Sequence, residues 1–244
     1  MRIRLTLAYD GTNYNGFQSQ TNAVAIQDVL EDAIEDLFGK RIRTAGASHT
    51  DTGVHARCNT AAFDVDTRIA PSKIAFALNA RLPEDIRVLR SEEAPPDFHP
   101  RYSPCEKTYC YRIWNARFPD PLTRLYSLHY YYDLDAEKMN EAASYLVGPH
   151  DFASFCSAGY TGKSTVRTIF SSVVERDGAM ITYTVTGDGF LYNMIRIIAG
   201  TLIRIGSSKL PPGEMLRVLE ARDRAAAGDT ALAKGLTLEH IEYL

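Results

Sequence analysis

The sequence lacks the features that mark membrane proteins, metal-binding domains and disulfide-rich secreted domains. Its 244 residues contain no apolar run that approaches the roughly 18 to 20 residues needed to span a membrane. No two cysteines form a Cys-x-x-Cys pair, which argues against both a zinc site and a disulfide framework. We therefore expect reduced thiols in a cytoplasmic protein. The cysteines are Cys58, Cys105, Cys110 and Cys156.

A strongly basic composition and a signal peptide are lacking as well. The formal net charge is −3 and the isoelectric point is near 6.1, whereas many RNA-binding proteins are basic overall. Net charge does not report whether cations gather on one face, so RNA stays among the candidate partners. The apolar stretch after Arg4 is short and ends at Asp10, which predicts no signal peptide.

Hydrophobic periodicity divides the first part of the chain into alternating strands and helices. Ile3, Leu5 and Leu7 recur with period two, which is typical of a half-buried strand. Apolar positions from 26 to 37 follow helical spacing up to Gly39, a natural helix end. The predicted order is a strand at 2–9, a helix at 26–38, a loop at 46–56, a strand at 61–65, a helix at 71–78 and a strand at 86–90.

The second part of the chain begins after the structure-breaking run 94–97, which contains two prolines. Asp135 can cap a helix that ends at Gly148, and Asp177-Gly178 is a strong hairpin signal. The predicted order is strands at 108–114 and 128–132, a helix after Asp135, a hairpin of 169–175 and 180–186, helices from 191 and around 215–219, and a strand at 238–244. We expect an α+β fold of two related sub-domains, residues 1–100 and 101–244, with mixed or antiparallel sheets and flanking helices.

Asp51 is the first candidate for chemistry, because it lies in a small-residue loop that contains two glycines. A carboxylate in such a loop is exposed and positioned, as a nucleophile or base must be. Taken alone, Asp51-Thr52-Gly53 is more typical of a turn whose aspartate bonds to its own backbone. The string Asp51-Thr52-Gly53 also occurs in aspartic proteases, but those enzymes need two such carboxylates. This chain has one copy, and polar residues precede it where a protease has an apolar strand.

Two further segments carry polar residues in apolar surroundings. Tyr109 and Tyr111 alternate along a strand with Lys107 and Arg112, a pattern that could stack a base and hold phosphates, or form an aromatic core strand with a basic outer face. Arg196 interrupts an otherwise apolar helix, so it needs an anionic partner unless its head reaches the surface. A loop aspartate elsewhere in the chain would be a suitable partner.

Ordered strings over nearly the whole chain resemble one known family. They are Tyr9-Asp10-Gly11-Thr12-x-Tyr14-x-Gly16-Phe17-Gln18-x-Gln20, Gln27-x-x-Leu30-Glu31, Thr50-Asp51-x-Gly53-Val54-His55-Ala56, Asn79-x-x-Leu82-Pro83, Phe98-His99-x-Arg101-Tyr102-Ser103, Lys107-x-Tyr109-x-Tyr111, His150-Asp151-Phe152-x-Ser154-Phe155, Phe190 to Gly200, and Gly235-Leu236. In this order they resemble the tRNA pseudouridine synthase A (TruA) family.

The resemblance implies a fold, an activity and residue roles. The fold would be that of pseudouridine synthases, with a central catalytic cleft, and the protein would be a homodimer that binds tRNA without cofactor or metal. The reaction would convert uridine to pseudouridine in the anticodon stem-loop, at tRNA positions 38 to 40. Asp51 would be the nucleophile, Tyr109 would stack on the target base, and Arg196 would pair with Asp51. An arginine neighbour lowers the pKa of a carboxyl and so keeps it ionised.

RNA binding would require cations near this site. The candidates for phosphate contacts are Arg101, Lys107, Arg112, Arg57 and the cluster Lys40-Arg41-Ile42-Arg43.

One position departs from the family pattern, which usually reads Gly-Arg-Thr-Asp around the nucleophile. Here Ser48 and His49 replace the glycine and the arginine, and His49 is a candidate for contact with the RNA substrate. The family arginine is thought to help to flip the target base, and histidine is shorter and mostly neutral at pH 7. The departure leaves two alternatives open: a paralogue that acts on another uridine, or an RNA-binding protein with little catalysis.

Overall fold

The structure, a computed structural model, describes residues 1–21 and 23–244. Two compact units are present. Unit 1 comprises Met1–Cys105 and Leu238–Leu244, and unit 2 comprises Glu106–Thr237. Among the described residues, no helix is both long enough and apolar enough to cross a membrane.

Unit 1 is built on an antiparallel sheet. Its strands are β1 (Arg2–Tyr9), β2 (Ala45–Gly46), β3 (His55–Asp64) and β4 (Ile86–Ala94). β1 lies between β3 and β4, and the short β2 pairs with β3. Alternate residues of β1 are buried, as its period-two pattern predicts.

Two helices complete this unit: α1 (Ile26–Phe38) and α2 (Pro71–Asn79). Ile26, Leu30 and Ile34 form the buried stripe of α1, and Gly39 ends the helix in the left-handed conformation with φ 72°. The backbone N–H of Gly39 donates to the carbonyl of Glu35 at 2.8 Å. The predicted bounds of α1 are therefore confirmed.

In unit 2, the strands β5 (Cys105–Asn115), β9 (Met180–Gly187), β8 (Val166–Asp177) and β7 (Gly148–Asp151) are antiparallel neighbours in that order. β6 (Leu128–Tyr130) runs parallel to β5, so the sheet is mixed. The predicted hairpin is present, and Gly178 at its tip has φ 56°.

The helices of unit 2 are α3 (Ala136–Ser144), α4 (Met194–Gly206) and α5 (Glu214–Ala221). The Asp135 side chain caps α3 by accepting a hydrogen bond from the Lys138 backbone at 3.0 Å, as predicted. Most of α4 is buried, as expected for a helix that is apolar on nearly all sides. Three short 3₁₀ turns occupy 153–155, 224–226 and 233–235.

The last strand, β10 (Leu236–Tyr243), lies beside β3 and returns the C-terminus to unit 1. The α+β class with mixed and antiparallel sheets and flanking helices is confirmed.

Some element bounds were wrong. β3 begins at His55 rather than at 61, because its first residues are small or polar and mask the strand pattern. β4 continues to Ala94, and β7 was not predicted because Gly148-Pro149 is typical of a turn.

Candidate active site

Asp51 lies in the loop that joins β2 to β3 and opens a tight turn. Its backbone carbonyl accepts a hydrogen bond from the Val54 N–H at 3.0 Å. Gly53 has φ 77°, a conformation that glycine adopts without strain, and its N–H donates to the Tyr14 carbonyl at 3.3 Å. The half-buried Asp51 side chain therefore projects from a turn whose backbone is fixed on both sides.

A buried polar network lies beneath this loop and centres on Asn59 of β3. The Asn59 amide nitrogen donates to the Ser48 carbonyl at 3.0 Å and to the Tyr9 hydroxyl at 3.1 Å. Its amide oxygen accepts from the Ser48 N–H at 3.3 Å. The Tyr9 hydroxyl also bonds to the Thr50 hydroxyl at 2.8 Å. Buried bonds of this kind hold the residues before Asp51 in one conformation.

Residues 15–17, in the segment after β1, contact the same loop and stabilise it. The Phe17 N–H donates to the Thr50 carbonyl at 3.0 Å, and the Thr52 hydroxyl donates to Asn15 Oδ1 at 2.6 Å. Gly16 has φ 76°, and a side chain there would collide with the Thr50 carbonyl. The family string from Tyr9 to Gln20 therefore forms the framework of the Asp51 loop.

His55 connects these two segments at the start of β3. The ring is almost completely buried, and its Nδ1 lies 3.1 Å from both the Gly11 N–H nitrogen and Asp10 Oδ1. A side chain at Gly11 would collide with the Val54 carbonyl, so the two backbones pass in direct contact.

His49, two residues before Asp51, is exposed and contacts Arg101. The Arg101 Nη1 atom lies 3.4 Å from His49 Nδ1. A guanidinium has no acceptor, so Arg101 donates and His49 Nδ1 accepts. Two of the substrate-binding residues predicted from the sequence are thus adjacent to each other at the Asp51 loop.

Tyr109 lies on β5 of unit 2, opposite Val185 of β9. It is 8% exposed and makes an edge-to-face contact with Phe190, with ring centroids 5.2 Å apart. Lys107 lies two residues before it on the same strand and is half-buried. The next tyrosine of the strand, Tyr111, is fully buried and donates its hydroxyl to the Leu232 carbonyl at 2.7 Å.

Arg196 lies in the first turn of α4, and hydrogen bonds to Ala231 and Asn193 hold its guanidinium. Its Nε donates to the Ala231 carbonyl at 2.8 Å, and its Nη1 donates to Asn193 Oδ1 at 2.7 Å. Asn193 adopts the left-handed conformation with φ 60° and donates its own amide to the Ser157 hydroxyl at 3.0 Å. The guanidinium is therefore oriented by the protein rather than extended into solvent.

Four arginines among the other predicted phosphate contacts form bonds within the protein. Arg41 pairs with Asp32 and with Glu35 on α1, and Arg43 Nη1 lies 3.2 Å from the buried Glu31 carboxylate. In the same way, Arg57 Nε lies 3.2 Å from Glu239, and Arg112 donates to the Thr237 hydroxyl at 3.3 Å. Their bonds leave them less suited to phosphate than the exposed Arg101.

Sequence reasoning missed the two asparagines that position the candidate residues. Asn193 lies within a string that resembles the family, and its position before a helix start is a usable signal for a cap. Asn59 is an uncharged polar residue at a buried strand position, and its partners become visible only in the fold.

The family model described as tRNA pseudouridine synthase matches residues 6–103 and 142–244. Similar curated proteins include those named tRNA pseudouridine synthase A from Acetivibrio thermocellus and Clostridium acetobutylicum, each 44% identical over 241 residues, and from Thermoanaerobacter sp. strain X514, 43% identical over 241 residues. Each alignment covers 99% of this chain and 99% of the relative. The chain therefore belongs to the tRNA pseudouridine synthase family and is an isomerase of that family.

Proposed function

We propose that this protein isomerises uridine to pseudouridine in the anticodon stem-loop of tRNA, at positions 38 to 40, with Asp51 as nucleophile. The observation that carries the proposal is the placement of Asp51 on a turn fixed by Asn59, Tyr9 and Tyr14. A nucleophile held by a rigid scaffold meets its target without reorganisation during the reaction. The names of the similar proteins support tRNA as the substrate.

The reaction breaks the N1–C1′ bond, turns the uracil and forms a C5–C1′ bond. The proton on C5 is lost to solvent and N1 gains a proton, so the atoms balance without an oxidant or reductant. Asp51 serves this reaction by attacking C1′ of the ribose, by adding to C6 of the base, or by removing the C2′ proton. All three routes require the ionised carboxylate, and none requires a cofactor or metal.

Arg196 would pair with Asp51 and keep that carboxylate ionised. Its two bonds to Ala231 and Asn193 support the role, since they fix the guanidinium before substrate arrives. Tyr109 would stack on the target uracil once the base has left the helix. Removing the base from its stack costs a few kcal/mol, and stacking on an aromatic ring returns about 1 to 3 kcal/mol.

His49, Arg101 and Lys107 would contact the RNA around the target. We further propose a homodimer that works in the cytoplasm, where its tRNA substrate is found. These assignments follow the family resemblance.

The test uses a tRNA transcript that carries tritium at uracil C5, because isomerisation releases this label as water. We expect release with the wild-type protein and none with Asp51→Asn, while the affinity for tRNA changes little. The amide is isosteric with the carboxylate, so the turn is retained, and Asp36→Asn on the exposed face of α1 is the matched control.

Comparable release by Asp51→Asn would overturn the assignment of the nucleophile. Binding of tRNA by the wild-type protein without release on any tRNA would instead identify an RNA-binding protein, the alternative that His49 leaves open.

A further inference from the structure

An aromatic and basic surface lies next to the Asp51 loop, and the proposed function assigns two of its residues, His49 and Arg101, only a general contact with RNA. It consists of His49, Arg101 and Tyr102, which we call the flanking patch. Arg101 and His49 are in contact at 3.4 Å, and Tyr102 is 75% exposed. Two residues of extended chain span at most about 7 Å, so His49 places this patch near the nucleophile.

The turn that carries Arg101 and Tyr102 is held in place by contacts of its neighbours with Tyr243. Phe98 is buried against the ring of Tyr243, with centroids 4.9 Å apart, and the Tyr243 hydroxyl donates to the Pro100 carbonyl at 2.8 Å. The Tyr102 N–H donates to the His99 carbonyl at 3.1 Å. An exposed tyrosine on an anchored turn loses little conformational freedom when a ligand binds it.

Tyr102 is already supported on one side. Its ring lies 4.4 Å from the His99 ring, at an interplanar angle of 31°. A supported ring with most of its surface exposed is suited to stacking against an unpaired base, since every base has an aromatic face.

Arg101 differs from three of the other arginines predicted to contact phosphate. Arg41, Arg43 and Arg57 each pair with a carboxylate, whereas Arg101 contacts the imidazole ring of His49. Its positive charge is therefore not offset by an acidic neighbour in the described contacts. A guanidinium without an acidic partner is complementary to a phosphate in both geometry and charge.

We infer that the flanking patch is a nucleotide subsite that holds a residue of the tRNA next to the target uridine, with the base on Tyr102 and a phosphate on Arg101. His49 is a positioning residue that orients the guanidinium of Arg101. This inference rests on the proposed function. It gives the Asp51 loop a cation, Arg101, although histidine occupies position 49, where the family usually has arginine.

The first experiment measures kcat and KM for tritium release from an anticodon stem-loop RNA. Tyr102→Ala raises KM by about 5- to 160-fold, the range that loss of one base-stacking contact predicts, and changes kcat little. Tyr102→Phe keeps the ring and restores KM. Phe76→Ala is the matched control, because Phe76 is an equally exposed aromatic residue of unit 1, at 72% exposure.

A coupling measurement identifies the nucleotide that is bound. Abasic residues replace the nucleotides on either side of the target uridine, one at a time. If the abasic residue replaces the nucleotide that stacks on Tyr102, KM for the wild-type protein rises relative to intact RNA. With that abasic RNA, Tyr102→Ala causes no further rise in KM. An equal effect of Tyr102→Ala on every abasic RNA, or no effect on the intact RNA, overturns the subsite.

The phosphate contact is tested independently of Tyr102. Arg101→Gln lowers the slope of log affinity against log salt by about 1, while Arg101→Lys retains the slope. An unchanged slope in Arg101→Gln contradicts the phosphate assignment. Tritium release by the wild-type protein on intact RNA tests the proposed function separately. If the wild-type protein releases no tritium, the proposed function fails; if it does and the Tyr102 and Arg101 variants behave like the wild type, only the subsite fails.

Discussion

At the scale of single residues, the groups proposed for chemistry depend on neutral polar partners. Asn59 fixes the backbone before Asp51, and Asn193 orients Arg196. Asp51, Tyr109 and Arg196 were singled out from the sequence because charged and aromatic residues stand out in loops, strands and apolar helices. The asparagines did not stand out, because an amide gains its role only from partners far away in the chain.

Asn193 allows a test that separates backbone conformation from side-chain function. Asn193→Gly keeps the left-handed φ of 60° but removes the amide that holds Arg196, so we expect near-normal stability and a lower kcat. Asn193→Ala loses the amide and also strains the backbone by about 1 to 2 kcal/mol. Thermal unfolding and single-turnover tritium release on both variants measure the two effects. Normal turnover in Asn193→Gly would show that Arg196 does not need this support.

Ser48 carries a different prediction, because its buried hydroxyl has no hydrogen-bond partner among the residues that the structure describes. A buried polar group without a partner costs about 1 to 3 kcal/mol. Ser48→Ala should therefore raise the melting temperature, by about 2 to 4 °C for each kcal/mol regained. Differential scanning calorimetry checks this, with Ser72→Ala at the start of α2 as the control. A lower melting temperature in Ser48→Ala would mean that the hydroxyl stabilises the loop.

At the scale of elements, regular periodicity was a good guide and short polar segments were not. β1 and α1 were predicted to their end residues because one face of each is consistently apolar. The start of β3 was missed because its first residues are small or polar and mask the strand pattern. The strings around Tyr9 and Gly16 were recognised in the sequence, but their role as a brace for that loop required the fold.

Two glycines with almost the same backbone conformation allow a test of whether the segment around Gly16 stabilises the Asp51 loop. Gly16 and Gly39 have φ values of 76° and 72°, and only Gly16 faces the Thr50 carbonyl, since nothing lies within 4 Å of a side chain added at Gly39. Gly39→Ala should cost about 1 kcal/mol of stability with kcat unchanged. Gly16→Ala should cost more and lower kcat, because the loop must move. Chemical denaturation and tritium release compare the pair, and equal effects of the two changes would contradict the brace.

At the scale of the whole molecule, the residues proposed for the reaction are distant in the sequence. Asp51 belongs to unit 1, whereas Tyr109 and Arg196 belong to unit 2. No local sequence signal connects residues so distant in the chain, which explains why Asp51 alone was not distinguished from a turn aspartate. Family membership came from strings distributed over the whole chain, and the identity to the relatives is spread over the same length.

The most direct measurement of the proposed function is a map of pseudouridine in total tRNA from cells with and without this gene. We predict that pseudouridine at positions 38 to 40 is lost without the gene, returns with the wild-type protein and does not return with Asp51→Asn. An unchanged map in cells without the gene, or restoration by Asp51→Asn, would contradict the proposal.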